Sequence, residues 1–195
     1  MILPVNHPPI AEAGPDRLAC VGESIDFDGG KSTDRDGQIV RYDWSFGDET
    51  DALGAKASHV FTKPGNYQIK LMVTDDSDSR QCGTGTDEAV LRINAPPVAV
   101  AKEHKTLYTG GAHDAVLFDA RGSFDGDDDA LLHLWNFGDG NTKAGARVFH
   151  AYAKPGQYTV RLTVRDGTSL TCGEDVAEFT VNVLDRAAMG NDAQQ

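Results

Sequence analysis

Two acidic stretches are the places in this sequence where side chains could do chemistry: Asp34-Arg35-Asp36-Gly37 and, 91 residues later, Asp125-Gly126-Asp127-Asp128. On a turn, Asp-x-Asp aims two carboxylates at one point. Left alone they repel one another. Around a hard divalent cation they become ligands, and Ca²⁺, which takes about six to eight oxygens, suits such a pair. The plainer alternative is that Asp34 and Asp125 accept hydrogen bonds from the turn backbone while the other acids stay solvated. An EF-hand is excluded, because its twelfth loop position would be Ser45 or Asn136, not Glu, and no helical period flanks it.

The three cysteines, Cys20, Cys82 and Cys172, form the second reactive group. In an exported protein Cys20 and Cys82 are candidates for a disulfide across the first half of the chain. Closing that span would contribute about 4 kcal/mol in the loop-entropy picture. The alternative is three independent buried thiols acting as small apolar groups. Cys172 matches Cys82 in the repeat described below, but nothing there matches Cys20. Cys172 is therefore expected to stay a thiol or to crosslink between molecules.

Catalytic patterns are missing from the sequence. It has no Gly-x-Ser-x-Gly elbow, no His-Glu-x-x-His and no phosphate loop. His59, His104, His113, His133 and His150 show no repeated acid or nucleophile at motif spacing. Carboxylates are numerous enough for glycosidase chemistry by count, yet they fall on turns common to both halves, which points to structure. The formal net charge of −12 excludes nucleic acid and anionic lipid as partners. No apolar run approaches the roughly 20 residues that span a bilayer. Met1-Ile-Leu-Pro4 has neither a charged n-region nor an apolar h-region, so no signal peptide is expected there.

The elements that must position these groups come in two copies. Asn6-His7-Pro8-Pro9-Ile10-Ala11 recurs as Asn94-Ala95-Pro96-Pro97-Val98-Ala99. Trp44-Ser45-Phe46-Gly47-Asp48 recurs as Trp135-Asn136-Phe137-Gly138-Asp139, and Lys63-Pro64-Gly65-Asn66-Tyr67 as Lys154-Pro155-Gly156-Gln157-Tyr158. From Phe27/Phe118 to Asp75/Asp166 the offset holds at 91, whereas at the start it is 88, which places three extra residues near Tyr108 to Ala115. Apolar residues alternate with polar ones along Tyr67, Ile69, Leu71, Val73 and along Tyr158, Val160, Leu162, Val164, the period of a half-buried strand. Shorter strands are expected at Ile25–Phe27, Val60–Phe61, Leu91–Ile93, Val116–Phe118 and Phe179–Val183. Many short strands separated by Gly, Pro and Asp turns predict an all-β chain of two tandem sandwiches. Their spans are 6–94 and 95–184, stiffened at the Pro96-Pro97 joint and followed by a flexible tail over 185–195. Trp44, Phe46, Trp135 and Phe137 then face inward as core and do not serve as ligand-stacking platforms.

These motifs resemble the polycystic-kidney-disease (PKD) domain family, an immunoglobulin-like β-sandwich. Its hallmark is Trp-x-Phe-Gly-Asp-Gly after an aspartate-rich turn, then Pro-Gly-x-Tyr before a Val/Leu-rich strand ending in Asp. The second copy carries the full signature, whereas in the first Glu49 stands where the last glycine would be. The resemblance covers roughly 6–184 and implies an extracellular, cell-surface or periplasmic module of a larger protein. Bacterial members accompany secreted hydrolases, adhesins and envelope proteins.

The resemblance also implies a calcium ligand set: an Asn at the domain start, the next residue's carbonyl, both acids of Asp-x-Asp, and an Asp closing a later strand. Those positions are Asn6, His7, Asp34, Asp36 and Asp75 in the first copy, and Asn94, Ala95, Asp125, Asp127 and Asp166 in the second. The expected function is a non-catalytic spacer or interaction module, in a chain that is a monomeric fragment of a larger protein. The alternative is an accessory module that binds a protein or polysaccharide substrate for a secreted hydrolase. Tyr108, Tyr152 and Phe124 lie outside the strand cores and form no repeated array, which favours the spacer.

Overall fold

The computed structural model describes residues 5–77, 82–109 and 115–185, and these contain strands, turns and loops but no helix. The extra residues placed near Tyr108 to Ala115 fall mostly on 110–114, His113 among them, outside the described residues. Asp185 ends a strand, and the remainder of the expected tail, 186–195, also lies outside them. The chain divides into two compact units, Met1–Asn94 and Ala95–Gln195.

The first unit contains β1 (Arg17–Cys20), β2 (Ser24–Asp28), β3 (Ile39–Ser45), β4 (Asp51–Leu53), β5 (Lys56–Val60), β6 (Gly65–Asp75) and β7 (Thr84–Asn94). Five of these form one sheet in the order β1-β7-β6-β3-β4, and β2 pairs with β5 in a second. All pairs are antiparallel except β1 with β7, which run parallel from Arg17↔Leu91 to Cys20↔Asn94. Alternation sends Ile69, Leu71 and Val73 of β6 into the core, where they meet Trp44, Leu91 and Ile93 of the same sheet, Phe46 directly after β3, and Ile25 and Phe27 of the other sheet. Trp44 and Phe46 are each 1% exposed. Removing such a side chain from water stabilises the fold by about 2–3 kcal/mol. The buried indole would still need a hydrogen-bond partner, and Trp44 Nε1 donates to Gly54 O at 3.1 Å.

The second unit repeats the plan. It contains β8 (Pro97–Val98), β9 (Thr106–Thr109), β10 (Val116–Asp119), β11 (Phe124–Asp125), β12 (Leu132–Asn136), β13 (Thr142–Ala144), β14 (Arg147–His150), β15 (Gly156–Arg165) and β16 (Glu174–Asp185). Its large sheet has the order β13-β12-β15-β16-β9, with β9 parallel to β16, while β10 pairs with β14 and β8 with β11. Phe118, Trp135, Phe137, Val160, Leu162, Val164 and Val181 are wholly or almost wholly buried in its core. Trp135 Nε1 donates to Gly145 O at 3.0 Å.

The glycine of the Trp-x-Phe-Gly-Asp turn has a steric reason. Gly47 has φ +75, and a Cβ there would lie 2.9 Å from Gln68 O on β6. At Gly138 (φ +78) the corresponding contact, to Thr159 O on β15, would be 2.5 Å. Any side chain would push the turn off the neighbouring strand.

Three expectations change. The last strand of each unit is much longer than its apolar stretch: β7 and β16 pair along nearly all of β6 and β15, carrying polar residues such as Glu88 and Glu178 on the solvent side. The Cys20–Cys82 disulfide is not formed. Cys20 is disulfide-bonded, but Cys82 is a thiol. The reason is register. Cys20 sits beside Asn94 at the far end of β7, whereas Cys82 precedes the start of that strand at Thr84. At ~3.3 Å per residue the two lie on the order of 40 Å apart, far beyond the roughly 7 Å between Cα atoms that a disulfide spans. Cys172, expected to be a thiol, is also disulfide-bonded.

Candidate functional site

Each unit brings its lead-in segment against its acidic turn. In the first, Ile10 and Thr33 form a backbone bridge, with N–H···O distances of 2.7 and 2.9 Å. This bridge carries Asn6 and His7 to the turn that holds Asp34 and Asp36. Asp34 Oδ1 accepts the N–H groups of Asp36 (3.1 Å) and Gly37 (3.2 Å), which curls the chain around it. Its Oδ2 is buried and accepts no hydrogen bond from the described residues.

Asp36 faces His7. The His7 N–H lies 3.2 Å from each carboxylate oxygen, and Nδ1 lies 3.2 Å from Oδ2. The His7 side chain, more than its backbone N–H, holds the Asp36 carboxyl below the usual range against the opposing effect of burial. Asp75, the last residue of β6, is 2% exposed. Its Oδ1 accepts from Ser77 N–H (2.8 Å) and Oγ (2.6 Å), and its Oδ2 from Asn6 Nδ2 (2.9 Å). The Ser77 hydroxyl first and the Asn6 amide second keep its carboxyl low. Asn6 Nδ2 also lies 3.0 Å from Cys82 O.

The first-unit residues expected as ligands are thus gathered at one end of the sandwich. Asp76 joins them and was not anticipated. Its Oδ1 accepts Gln38 N–H at 3.0 Å, and a Cβ on Gly37 would fall 2.5 Å from that oxygen and 3.0 Å from Asp34 Oδ2. The doubled acid Asp75-Asp76 was the available signal.

In the second unit the turn begins on β11, which pairs Asp125 with Pro97. Asp125 is 8% exposed. Its Oδ1 accepts the N–H groups of Asp127 (2.9 Å) and Asp129 (3.3 Å), and its buried Oδ2 accepts no hydrogen bond from the described residues. Asp125, Asp127 and Asp129 place carboxylate oxygens within 4.8 Å of one another. Ala95 lies beside this turn, because a Cβ on Gly126 would come within 2.8 Å of the Ala95 Cβ. Asp166, directly after β15, is 6% exposed and accepts Thr168 N–H at 2.7 Å through Oδ1. Asn94 is the buried last residue of β7. Asp129 was missed, although it continues the same alternate-residue spacing of acids.

The donor sets fit a hard cation. Both are rich in carboxylates, and each includes a buried carboxylate oxygen that no described group satisfies. Such an oxygen costs about 1–3 kcal/mol if it stays unmatched. Carboxylates and carbonyls are the ligands Ca²⁺ takes, whereas Mg²⁺ keeps more of its water.

Two histidines that showed no acid at motif spacing have one in space. His59 Nε2 lies 2.7 Å from Asp48 Oδ2, and His150 Nε2 lies 2.9 Å from Asp139 Oδ2. Each ring stacks on the Phe of the Trp-x-Phe-Gly-Asp turn, His59 on Phe46 at 4.5 Å and His150 on Phe137 at 3.9 Å. These pairs clasp β5 and β14 to the turn. Of the aromatics considered as binding residues, Tyr152 is core, with its hydroxyl donating to Phe137 O at 3.0 Å and its pKa pushed up by burial. Tyr108 is half-buried in β9, and Phe124 is 56% exposed.

A sequence profile of the PKD domain matches residues 6–91 and 94–181. Collagenase ColA of Clostridium perfringens (strain 13 / Type A) is 39% identical over 100 residues, covering 51% of this chain and 9% of the collagenase. The human dyslexia-associated protein KIAA0319 is 31% identical over 184 residues, covering 86% of this chain and 17% of that protein. A titin fragment of three Ig domains superposes with a TM-score of 0.57 at 15% identity, covering 93% of this chain and 67% of the fragment, a likeness of fold alone. The chain spans less than a fifth of either curated relative.

Proposed function

The chain belongs to the PKD domain family, and from that premise we propose that it is a non-catalytic, calcium-stabilised spacer and interaction segment of a larger extracellular, cell-surface or periplasmic protein. One observation carries the reading. In each unit the acids are committed to the turn that ties the lead-in segment to the sandwich, and each turn buries a carboxylate oxygen with no partner among the described residues. Groups arranged this way serve rigidity, since the other half of each carboxylate already binds the backbone. Asn6, the His7 carbonyl, Asp34, Asp36 and Asp75 would hold calcium in the first unit, and Asn94, the Ala95 carbonyl, Asp125, Asp127 and Asp166 in the second.

Thermal unfolding with calcium and with chelator tests this. At calcium about a hundredfold above Kd, each occupied unit gains about 2.7 kcal/mol, which is a rise of roughly 10–20 °C in Tm for a domain of this size. Asp34→Ala combined with Asp125→Ala should abolish the response. A wild-type Tm indifferent to calcium would end the calcium reading.

A second reading, substrate binding, draws on a groove that recurs at equivalent positions on the two large sheets. Asp43, Ser45, Leu53, Lys70 and Met72 line it in the first unit. Leu134, Asn136, Ala144, Arg161 and Thr163 line it in the second. Since one relative is named a collagenase, insoluble collagen and polysaccharides are the polymers to try in pull-down. Retention on one of them would replace the pure spacer with an accessory binding module.

A further inference from the structure

The outer edge of the two-stranded sheet is covered differently in the two units. In an antiparallel pair alternate residues exchange both backbone bonds with the partner strand, and those between point their N–H and C=O away from it. Gly29 N–H bonds Ala55 O just past the β2–β5 ladder, so Ile25 and Phe27 face β5 while Asp26 and Asp28 face outward. Ala120 N–H bonds Ala146 O in the same way, which turns Leu117 and Asp119 of β10 outward. In the second unit the chain itself covers that edge. Lys102 N–H donates to Asp119 O at 2.9 Å, and His104 Nε2 lies 2.9 Å from Leu117 O. In the first unit only one of the two carbonyls is met. Arg17 Nη1 donates to Asp26 O at 2.9 Å, with its guanidinium 4.7 Å from the centre of the Phe27 ring. Asp28 O, which corresponds to Asp119 O, accepts no bond from that side among the described residues. Gly14 stands where the second unit has Lys102, at φ +90, and Pro15 after it has no N–H to offer. A slot of about 300 Å³ lies open between Gly14, Pro15 and Arg17 on one side and Asp26, Phe27 and Asp28 on the other.

We propose that the outer edge of β2 is a docking edge for a short extended segment of a partner protein, one that carries a basic side chain opposite Asp26. The second unit shows what fits there: a backbone N–H directed at the carbonyl of this position. An extended segment laid along β2 would supply that donor, and its own carbonyls would meet the outward N–H groups of Asp26 and Asp28. This is strand addition at an exposed edge. Side chains alternate along such a segment, so the residues opposite Asp26 and Asp28 share their solvent face and the residue between turns inward with Phe27. A second copy of β2 does not suit, because it would set its own Asp26 and Asp28 against these acids. Glu12, Asp26 and Asp28 outnumber Arg17 and Lys31 at the slot, and Arg17 is committed to β2 itself. The occupant therefore reads basic, apolar, basic. Asp28 already meets Lys56 of β5 at 3.3 Å, so Asp26, exposed and paired with no cation among the described residues, is the acid that selects it. This gives the interaction part of the proposed function a surface and does not rest on calcium.

The probes are two capped peptides, Lys-Val-Lys-Val-Lys and Glu-Val-Glu-Val-Glu, titrated into the intact chain with and without calcium and read by amide NMR and hydrogen exchange. The lysine peptide should shift the amides of Asp26 and Asp28 and slow their exchange, while those of Leu117 and Asp119 stay as they were. Asp26→Lys, an exposed change, should weaken the lysine peptide by about tenfold and admit the glutamate peptide instead. Arg17→Ala should tighten binding severalfold by freeing Asp26 O. Binding that leaves the exchange of both amides unchanged, or equal affinity for the two peptides, overturns the proposal. So does exchange that slows with protein concentration and no peptide, which would give the edge to a second copy. No binding at all also overturns it, and leaves the spacer reading to be decided by its own calcium melts.

Discussion

The two acidic turns take an extra acid in different places: in the first unit it is Asp76, directly after β6, and in the second it is Asp129, at the position where the first unit has Gln38. The strands around these turns match position for position, and the aromatic cores are buried to the same degree. The difference shows that the sandwich does not dictate where its acidic turn gathers carboxylates. A framework fixed by Trp, Phe and a Val/Leu-rich strand leaves the turn free to draw the extra acid from its own loop or from the end of the neighbouring strand.

The largest test of this comparison asks whether the cores are as equivalent as they look. Trp44→Ala should cost the first unit about 3–5 kcal/mol, and Trp135→Ala the second a similar amount. With one tryptophan removed, the fluorescence of the other reports its own unit in urea. A second unit that unfolds at the wild-type midpoint in Trp44→Ala would show that the two cores are independent. A parallel loss would break the comparison.

The His–Asp clasps come next. His150→Ala should cost about 1–3 kcal/mol by taking the imidazole from Asp139 and its stacked ring from Phe137. His59→Ala should cost less, because the His59 side chain is 19% exposed and that of His150 only 5%. Burial alone would raise the Asp48 and Asp139 carboxyls. Hydrogen bonds outweigh it, from Thr50 and His59 at Asp48 and from Asn141 and His150 at Asp139, and both carboxyls end below their ordinary value. A carboxyl lowered by folding adds stability that is complete above its unfolded value, about pH 4, and is lost as pH falls through the folded value. The clasps should therefore hold from neutral pH down to about 4 and fail below that. Urea midpoints measured in Asp48→Asn and Asp139→Asn should lose part of this acid slope. A slope identical to wild type in both would refute the assignment.

The smallest effect concerns the one place where the first copy departs from the family signature. Glu49 has φ 70, where the second unit has Gly140 at φ 91. Left-handed backbone disfavours a residue with a Cβ, so Glu49→Gly should stabilise the first unit by about 0.5–1 kcal/mol. Gly140→Glu should cost the second a similar amount. Thermal melts of the two variants are enough to check both signs.

Much of this was legible in the sequence because the repeat supplied its own control. The inward aromatics, the alternation of β6 and β15 and the Asp-x-Asp turns are local patterns that appear twice. What escaped depends on register and on closures over long spans. No local pattern says that β1 lies parallel to β7, so nothing in the spacing of Cys20 and Cys82 reveals that they sit at opposite ends of a strand. The pairing of His59 with Asp48 depends on β5 folding back over the turn, and the length of β7 on its partner β6, since Thr84 to Glu88 carry no apolar signal of their own. At the site, Asp34, Asp36 and Asp75 were readable as a motif. Asp76 and Asp129 were adjacent acids whose weight came only from seeing which oxygens meet.

The parallel pairing of β1 with β7, and of β9 with β16, bears on how such a segment would carry load. Tension entering at the start of β1 and leaving at the end of β7 would drag two parallel strands past each other along their length. The hydrogen bonds between Arg17–Cys20 and Leu91–Asn94 would then resist together, in shear, and would not open one after another like a zip.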